Sequence, residues 1–148
     1  MDRGAIRDLY DEYCYLLDEA DYDAWLELFT PTCSYRVVAR ENWERGLPLA
    51  TVRCDSRDML ADRIETIRAT QFYAARVMRH FVSAVRPAAD AVTANFLVTE
   101  TLVDEPARVH SVGQYRDHVI VDDGALRFSS KVAIYDASMV LTSLVHPL

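Results

Sequence analysis

The apolar residues in the first part of the chain recur at helical spacing. They form one stripe along a helix of about four turns, and the charged residues between them fall on the opposite side. We therefore predict a long amphipathic helix near the start of the sequence. The stripe consists of Ile6, Leu9, Tyr10, Tyr13, Leu16, Leu17 and Ala20.

A shorter amphipathic turn follows this helix. Asp21 is placed to accept a free backbone N–H at its start, and Pro31 biases Thr30 away from helical geometry beyond its end. Residues 33–38 then have the character of a strand. This order predicts a long helix, a short helix and a strand that together cover a sheet. The apolar residues of the short turn are Tyr22, Trp25, Leu26 and Phe29.

The segment 40–48 is polar and contains glycine and proline, which predicts an exposed loop that carries an unusual aromatic residue, Trp43. A short strand is expected over residues 49–54. A third helix should follow, capped by Asp55 and with Asp58 near its positive end. This helix position explains the aspartates better than a metal site does. Its buried stripe is expected to comprise Met59, Leu60, Ile64 and Ile67.

From residue 78 onward the apolar pattern changes to period two, which is typical of strands. Asp122-Asp123-Gly124 supplies the positive φ angles of a hairpin turn, and residues 104–106 form a second turn between strands. An apolar end segment should dock on the domain rather than stay loose. The strands are expected at residues 81–85, 92–103, 109–121 and 126–136, and the end segment spans residues 139–148.

Helices first and strands afterwards predict one α+β domain over residues 1–148. We expect a long, curved antiparallel sheet that wraps around the N-terminal helices and leaves a cone-shaped hollow. Such a hollow is an active site in some proteins and only a packed core in others.

The composition argues against several classes of function. The 148 residues carry a formal net charge of −7, and Lys131 is the only lysine, so neither nucleic acid nor an acidic membrane surface is an expected partner. No apolar run approaches the roughly 20 residues of a membrane span. Three widely separated cysteines argue against a disulfide framework and predict the cytoplasm.

No motif in the chain supports redox or metal chemistry by itself. The cysteines lack the spacing of an iron–sulfur site, and the four histidines lack the spacing of a mononuclear iron site. One group of residues is suited to general acid–base catalysis in the hollow, namely Asp18 paired with His80, with Tyr35 as a proton donor. The alternative is that His80 is a core histidine and that Asp18 only bridges two elements.

Cationic and aromatic residues outside the expected core are candidates for contacts with another subunit. In the last strand, an apolar face alternates with a polar face that carries Arg127 and Lys131. Arg79 is expected either to pair with an acidic residue of the first helix or to contact a second chain. The apolar face is assigned to Leu126, Phe128, Val132 and Ile134. The subunit-interface candidates are Trp43, Arg45, Arg79, Arg116, Arg127 and Lys131.

Nearly the whole chain carries a series of short stretches in a fixed order, which are Leu16-Leu17-Asp18-Glu19, residues 22–29, Cys33-Ser34-Tyr35, residues 58–64, Arg79-His80-Phe81-Val82 and Tyr135-Asp136. Together they resemble the small (beta) subunits of aromatic-ring-hydroxylating dioxygenases. Residues 40–50 resemble the salicylate 5-hydroxylase type, whereas residues 55–60 and Pro147-Leu148 resemble the terephthalate dioxygenase small subunit. With the anthranilate dioxygenases, these enzymes act on aromatic carboxylates.

The resemblance implies the cone-shaped fold of nuclear transport factor two and scytalone dehydratase. It also implies a mainly structural subunit, three copies of which join three large (alpha) subunits in a hetero-hexamer. The Rieske [2Fe-2S] cluster, the mononuclear iron and the substrate pocket would belong to the large subunit, through which a reductase or ferredoxin would act. No cofactor, metal or catalytic residue is then expected on this chain.

Two other functions stay open at this point. A stand-alone dehydratase or isomerase on the same fold would use Asp18 and His80, which match the carboxylate and one histidine of scytalone dehydratase. Two departures weaken this interpretation, because a tyrosine of that enzyme falls at Leu17 and its second histidine falls near Asn95. The third function is a homo-oligomeric module that binds a ligand in the cone.

Overall fold

The computed structural model describes residues 2–69, 75–138 and 145–148. Within these ranges the chain forms four helices and six strands. The helices are α1 (Arg3–Asp18), α2 (Tyr22–Leu26), α3 (Arg40–Glu44) and α4 (Arg57–Ala69). The strands are β1 (Phe29–Ala39), β2 (Val52–Cys54), β3 (Arg76–Ala88), β4 (Ala91–Leu102), β5 (Arg108–Asp122) and β6 (Ala125–Tyr135).

The strands form one sheet in the order β2-β1-β6-β5-β4-β3. Consecutive strands from β3 to β6 are antiparallel neighbours, as the sequence predicts. β1 and β6 pair in parallel, so the sheet is mixed rather than entirely antiparallel. Two parallel strands need a long connection between them. Here the connection from β1 to β6 contains every element from α3 through β5. With this one difference, the predicted α+β cone fold is confirmed.

The helix α1 packs against β3 and the inner side of the sheet. The predicted stripe is buried except for Ala20, which lies beyond the helix with a positive φ of 55°. Asp21 caps α2 as predicted, since its side chain accepts a hydrogen bond from the backbone N–H of Ala24 at 3.2 Å. Burial of this apolar stripe is the main force that holds α1 in the cone.

Four segments differ from the sequence-based expectation. β3 spans Arg76–Ala88, although the sequence predicts a strand only over residues 81–85. β1 begins at Phe29, earlier than predicted, because the backbone of Phe29 pairs with that of Phe128 in β6. Residues 40–44 of the expected loop form the short helix α3, which carries Trp43 with 41% of its surface exposed. The strand β2 is only three residues long.

The start of α4 is capped by a different residue from the one predicted. The Ser56 hydroxyl accepts the backbone N–H of Met59 at 3.2 Å, whereas the Asp55 carboxylate pairs with Arg53 at 3.0 Å. Leu60 is buried as expected, but Met59 is 44% exposed. The aspartate before the helix is therefore a surface ion-pair partner.

A bulge in β6 reverses which of its side chains face the core. His118 pairs with Ser130 and Val119 pairs with Phe128, so Ser129 is an extra residue on β6. One inserted residue shifts the alternation of all later side chains to the other face of the sheet. The structure reflects this shift, because Lys131 is completely buried in the cone.

The predicted division of β6 into two faces is therefore wrong beyond residue 128. Ala133 and Tyr135 belong to the main core, as Phe128 does. Val132 and Ile134 instead pack with Val38 in a separate small cluster. An alternation carried straight through the strand would assign these residues to the opposite faces.

Two glycines meet specific backbone requirements. At Gly113, an added Cβ would lie 1.9 Å from the backbone oxygen of Ile134, so β5 and β6 approach too closely there for a larger residue. In the turn between these strands, Asp123 and Gly124 have φ angles of 49° and 78°. The predicted Asp-Gly hairpin is therefore confirmed.

Candidate functional site

Asp18 and His80 form the pair that the sequence predicts. Asp18 is the last residue of α1, and His80 lies on β3, against which α1 packs. The Asp18 Oδ1 atom is 2.8 Å from His80 Nδ1 and also accepts the His80 backbone N–H at 3.0 Å. The carboxylate therefore fixes both the position and the ring orientation of this histidine.

The final four residues, which we call the tail (residues 145–148), lie over this pair. The His80 Nε2 atom is 3.2 Å from the carbonyl oxygen of Pro147. Leu148 has no exposed surface and belongs to the main core. The expected docking of the end segment is confirmed for the tail, whereas residues 139–144 lie outside the described residues.

Tyr35 also contacts the tail. Its hydroxyl donates to the carbonyl oxygen of Leu148 at 3.2 Å and accepts the backbone N–H of Leu148 at 2.9 Å. The Tyr13 hydroxyl donates to the same carbonyl oxygen at 2.6 Å. The three residues proposed for acid–base catalysis are thus brought to one end of the cone, where Tyr35 and His80 bind the tail and Asp18 holds His80. We call this end the mouth, made up of Asp18, Tyr35, His80 and the tail.

Other charged residues surround the mouth. Burial is the main cause that lowers the pKa of His146, and positive charge from Arg76 and the nearby histidines lowers it further. His80 and His146 line the same cavity although they are far apart in sequence, and spacing alone gave no sign of this. Arg79 lies 4.0 Å from Asp18 and from Glu19, which favours its predicted pairing with the first helix.

A cavity of about 330 Å³ borders the tail. Charged and aromatic groups line much of it, and its walls come from the end of α1, the start of α2, β3 and the tail itself. The polar or aromatic side chains that line it include Asp18, Tyr22, Arg76, Arg79, His80 and His146.

A fully buried ion pair lies deeper in the cone. The Lys131 Nζ atom is 2.9 Å from Asp117 Oδ2, and neither side chain has any exposed surface. The same carboxylate accepts the Tyr10 hydroxyl at 2.5 Å and the Val132 backbone N–H at 3.0 Å. Burial lowers the pKa of Lys131, and the negative charge of Asp117 offsets part of that effect.

Aromatic rings enclose this lysine. The Nζ atom lies 3.5 Å from the ring centre of Tyr115 and 4.2 Å from that of Tyr13, with the rings of Tyr10 and Phe128 at 4.8 and 4.6 Å. These distances are within the range of cation–π attraction. The prediction that Lys131 decorates an exposed face is wrong because the β6 bulge turns it inward. We call Asp117, Lys131 and these rings the deep cluster.

The remaining interface candidates lie at the surface. Arg45 pairs with Glu41 at 3.0 Å, and both side chains are 65% exposed. Arg116 is exposed and donates to Gln114 at 3.1 Å. Arg127 is less accessible, since its side chain is 22% exposed. Trp43 borders a groove of about 200 Å³.

The outer face of the sheet also carries an apolar row that sequence reasoning missed. Phe81, Leu97 and Val112 are direct neighbours on β3, β4 and β5. Phe81 is 56% exposed and Val112 is 45% exposed. The sequence signal for this row is an apolar residue at a position of each strand that the period-two pattern assigns to the polar face.

Among residues 2–69, 75–138 and 145–148, no three His, Cys, Asp or Glu side chains are arranged to hold a metal ion. In the same parts of the chain, none of the helices combines the length and apolar character needed to cross a membrane.

Comparisons with known proteins agree with the geometry. Residues 1–132 match the family model of the SnoaL-like domain. The chain is 32% identical to the small subunit of anthranilate 1,2-dioxygenase from Burkholderia cepacia, over 95% of this chain and 90% of that protein. It is 30% identical to subunit beta 1 of the terminal oxygenase component of terephthalate 1,2-dioxygenase from Comamonas sp, over 92% of each.

A crystal structure gives the same result. It is that of the beta subunit of a protein assigned as an aromatic-ring-hydroxylating dioxygenase from Novosphingobium aromaticivorans. This structure matches with a TM-score of 0.86 and 33% identity, over 99% of this chain and 96% of that one.

Proposed function

Since this chain belongs to the SnoaL-like domain family and is a small (beta) subunit of an aromatic-ring-hydroxylating dioxygenase, we propose that its own role is to assemble and stabilise the large subunits. It is thus part of an oxygenase holoenzyme, and a large oxygenase subunit is its partner. The observation that supports the structural role is that the tail occupies the mouth. The side chains suited to proton transfer are bound to the tail of the same chain.

We propose that the holoenzyme oxidises an aromatic carboxylate. The names of two relatives support this, because anthranilate and terephthalate are both aromatic carboxylates. In this proposal the large subunit carries a Rieske [2Fe-2S] cluster and a mononuclear iron and receives electrons from a reductase or ferredoxin. Three copies of each subunit form the hexamer, in the cytoplasm.

The proposed contacts with other subunits lie on the outer surface. Trp43 and Arg45 mark one region at α3, and Arg79, Arg116 and Arg127 mark the sheet. The exposed aromatic ring and the groove beside it supply apolar surface of the kind that protein interfaces bury. Lys131 is not part of this proposal because it is completely buried.

The test is co-expression with the large subunit and purification of the complex. We expect Trp43→Ala to weaken assembly, measured as the fraction of large subunit that co-purifies, while the melting temperature of the lone chain changes little. Tyr15→Ala is a matched control, since Tyr15 is an aromatic residue that is 60% exposed on α1. A large fall in melting temperature with normal assembly would show that Trp43 only packs locally.

A stand-alone dehydratase or isomerase is the second candidate, because Asp18 and His80 do form a close pair. In this function the tail must leave before His80 and Tyr35 reach a substrate. Turnover of an aromatic substrate by the isolated chain, lost in Asp18→Asn, would favour this function over the structural role.

A further inference from the structure

The tail is held by side chains from many parts of the fold. Among the described residues, its hydrogen bonds come from α1, α2, α4, β1 and β3. Arg63 Nη2 donates to the carbonyl oxygen of Val145 at 3.0 Å, and the Tyr22 hydroxyl lies 3.2 Å from His146 Nδ1. A segment held in this way is bound like a ligand in a site, whereas a strand is held by its neighbour's backbone.

The contacts at Leu148 recognise its main chain and its side chain separately. Tyr35 bonds both the N–H and the carbonyl oxygen, and Tyr13 bonds the carbonyl oxygen a second time. The branched side chain is fully buried in the aromatic core. An apolar pocket with a few convergent polar groups is the usual form of a small-molecule site.

His80 contacts a second carbonyl group of the tail. Its Nδ1 atom faces the Asp18 carboxylate, and its Nε2 atom faces the Pro147 carbonyl oxygen. Both partners are acceptors, so the imidazole donates to at least one of them. Arg63 donates to the Val145 carbonyl oxygen, so side-chain donors meet several backbone oxygens of the tail. Arg76 lines the adjoining cavity while it pairs with Glu100 at 2.9 Å.

We infer that the cone is a ligand-binding site and that the tail fills it as a detachable internal ligand. The site fits a compound with a branched apolar group beside a carbonyl or carboxylate oxygen. The cavity of about 330 Å³ that borders His146 and Pro147 gives the tail room to move. The inference goes beyond the role in assembly and does not depend on it.

The first experiment removes the tail and adds it back as a separate molecule. A chain that stops after residue 144 is titrated with the peptide acetyl-Val-His-Pro-Leu, as free acid and as amide, by calorimetry. We expect saturable binding to a chain with native circular dichroism. The control peptide has aspartate in place of leucine, which puts a charge in the apolar pocket, and it should bind at least about tenfold more weakly.

A matched protein variant tests the assigned contacts. Tyr35→Phe in the shortened chain keeps the ring and removes the hydroxyl, so the peptide should bind about tenfold more weakly. Equal binding by both chains, or no binding of the leucine peptide to a folded shortened chain, would overturn the inference. A shortened chain that stays unfolded even with the peptide would also overturn it, because the fold would then require a covalently attached tail.

The second experiment uses the full chain. Amide hydrogen exchange, followed by NMR, compares the Leu148 N–H with the slowest amides of β4, which pairs with strands on both sides. A detachable tail opens locally, so Leu148 should exchange at least about tenfold faster than those amides. Tyr35→Phe should speed up Leu148 alone. Exchange of Leu148 in step with β4 would show that the tail leaves only on global unfolding.

Discussion

Two aspartates pair with a base inside the same cone, but at different depths. In the deep cluster, Asp117 and Lys131 have no exposed surface and are enclosed by aromatic rings. At the mouth, the Asp18 side chain is 16% exposed, and its partner His80 touches the tail beside a cavity. The two pairs lie in surroundings that differ in access to water and to other molecules.

The two pairs differ in which groups satisfy them. The Asp117 carboxylate accepts hydrogen bonds from the Tyr10 hydroxyl, the Lys131 ammonium group and the Val132 backbone N–H. All three donors belong to the folded domain itself. Such a pair specifies how the core packs, and it is costly to break. At the mouth, His80 holds a segment that can be replaced, so this pair is suited to binding.

The largest effect should come from breaking the deep pair. Lys131→Met keeps the apolar stem and removes the charge, which leaves Asp117 buried without its cation. We expect a loss of about 3–5 kcal/mol in the free energy of unfolding, measured with urea. Adding Asp117→Asn should restore part of the loss, since no buried charge would then remain. A loss below about 1 kcal/mol would mean that water reaches Asp117 in the variant.

Alkaline pH should destabilise the fold, because the tyrosines near both pairs are buried and resist ionisation. Burial raises the pKa of Tyr115 well above its usual value and that of Tyr35 to about 12. A raised pKa gives stability that is complete below the unfolded value of about 10 and is lost as the pH rises. For Tyr35 that loss extends from about pH 10 to about pH 12.

The lowered pKa of Lys131 has the opposite effect on stability. Its contribution to the free energy of unfolding increases as the pH rises towards the usual pKa of lysine. The measurement is the urea midpoint against pH, with tyrosinate absorbance as a second signal. We expect the buried tyrosines to ionise only as the protein unfolds. Ionisation of most tyrosines in a folded chain near pH 10 would contradict the burial.

Breaking the mouth pair should cost less. Asp18→Asn removes the charge beside His80 but keeps an oxygen that can accept the His80 backbone N–H. We expect a loss of about 1–2 kcal/mol, because the site is partly open to water. Exchange of the Leu148 amide should also become faster. If this variant were as destabilised as Lys131→Met, the distinction between the two regions would fail.

The smallest expected effect is acid loosening of the tail. Burial, helped by Arg76 and other cations, lowers the pKa of His146. A lowered pKa gives stability that is present above the usual value of about 6.5 and is lost as the pH falls. We expect the NMR signal of the Leu148 amide to shift towards a free-tail position on acidification. His146→Ala should reduce this response, whereas an unchanged response would assign it to another group.

The parts of the fold that local pattern controls could be predicted from sequence. The stripe of α1, the Asp21 cap and the Asp-Gly hairpin each depend on residues close together in the chain. The pairing of Asp18 with His80 followed from where the helix ends and from the family resemblance.

Features that depend on a single irregularity or on distant contacts could not be predicted. Nothing in the alternation of β6 marks Ser129 as an extra residue, and the burial of Lys131 follows from it. The parallel pairing joins β1 with β6, which lie in opposite parts of the sequence. The hydrogen bonds of Leu148 with Tyr13 and Tyr35 likewise join the two ends of the chain.

The parallel neighbours β1 and β6 also have a consequence for synthesis on the ribosome. Val37 pairs with Ala133, so β1 has no partner on that edge until nearly all of the chain has been translated. During that time α1 and β1 expose the aromatic residues that later fill the cone. The nascent chain should therefore depend on chaperones until β6 emerges, and slow translation of the middle of the message would prolong that exposure.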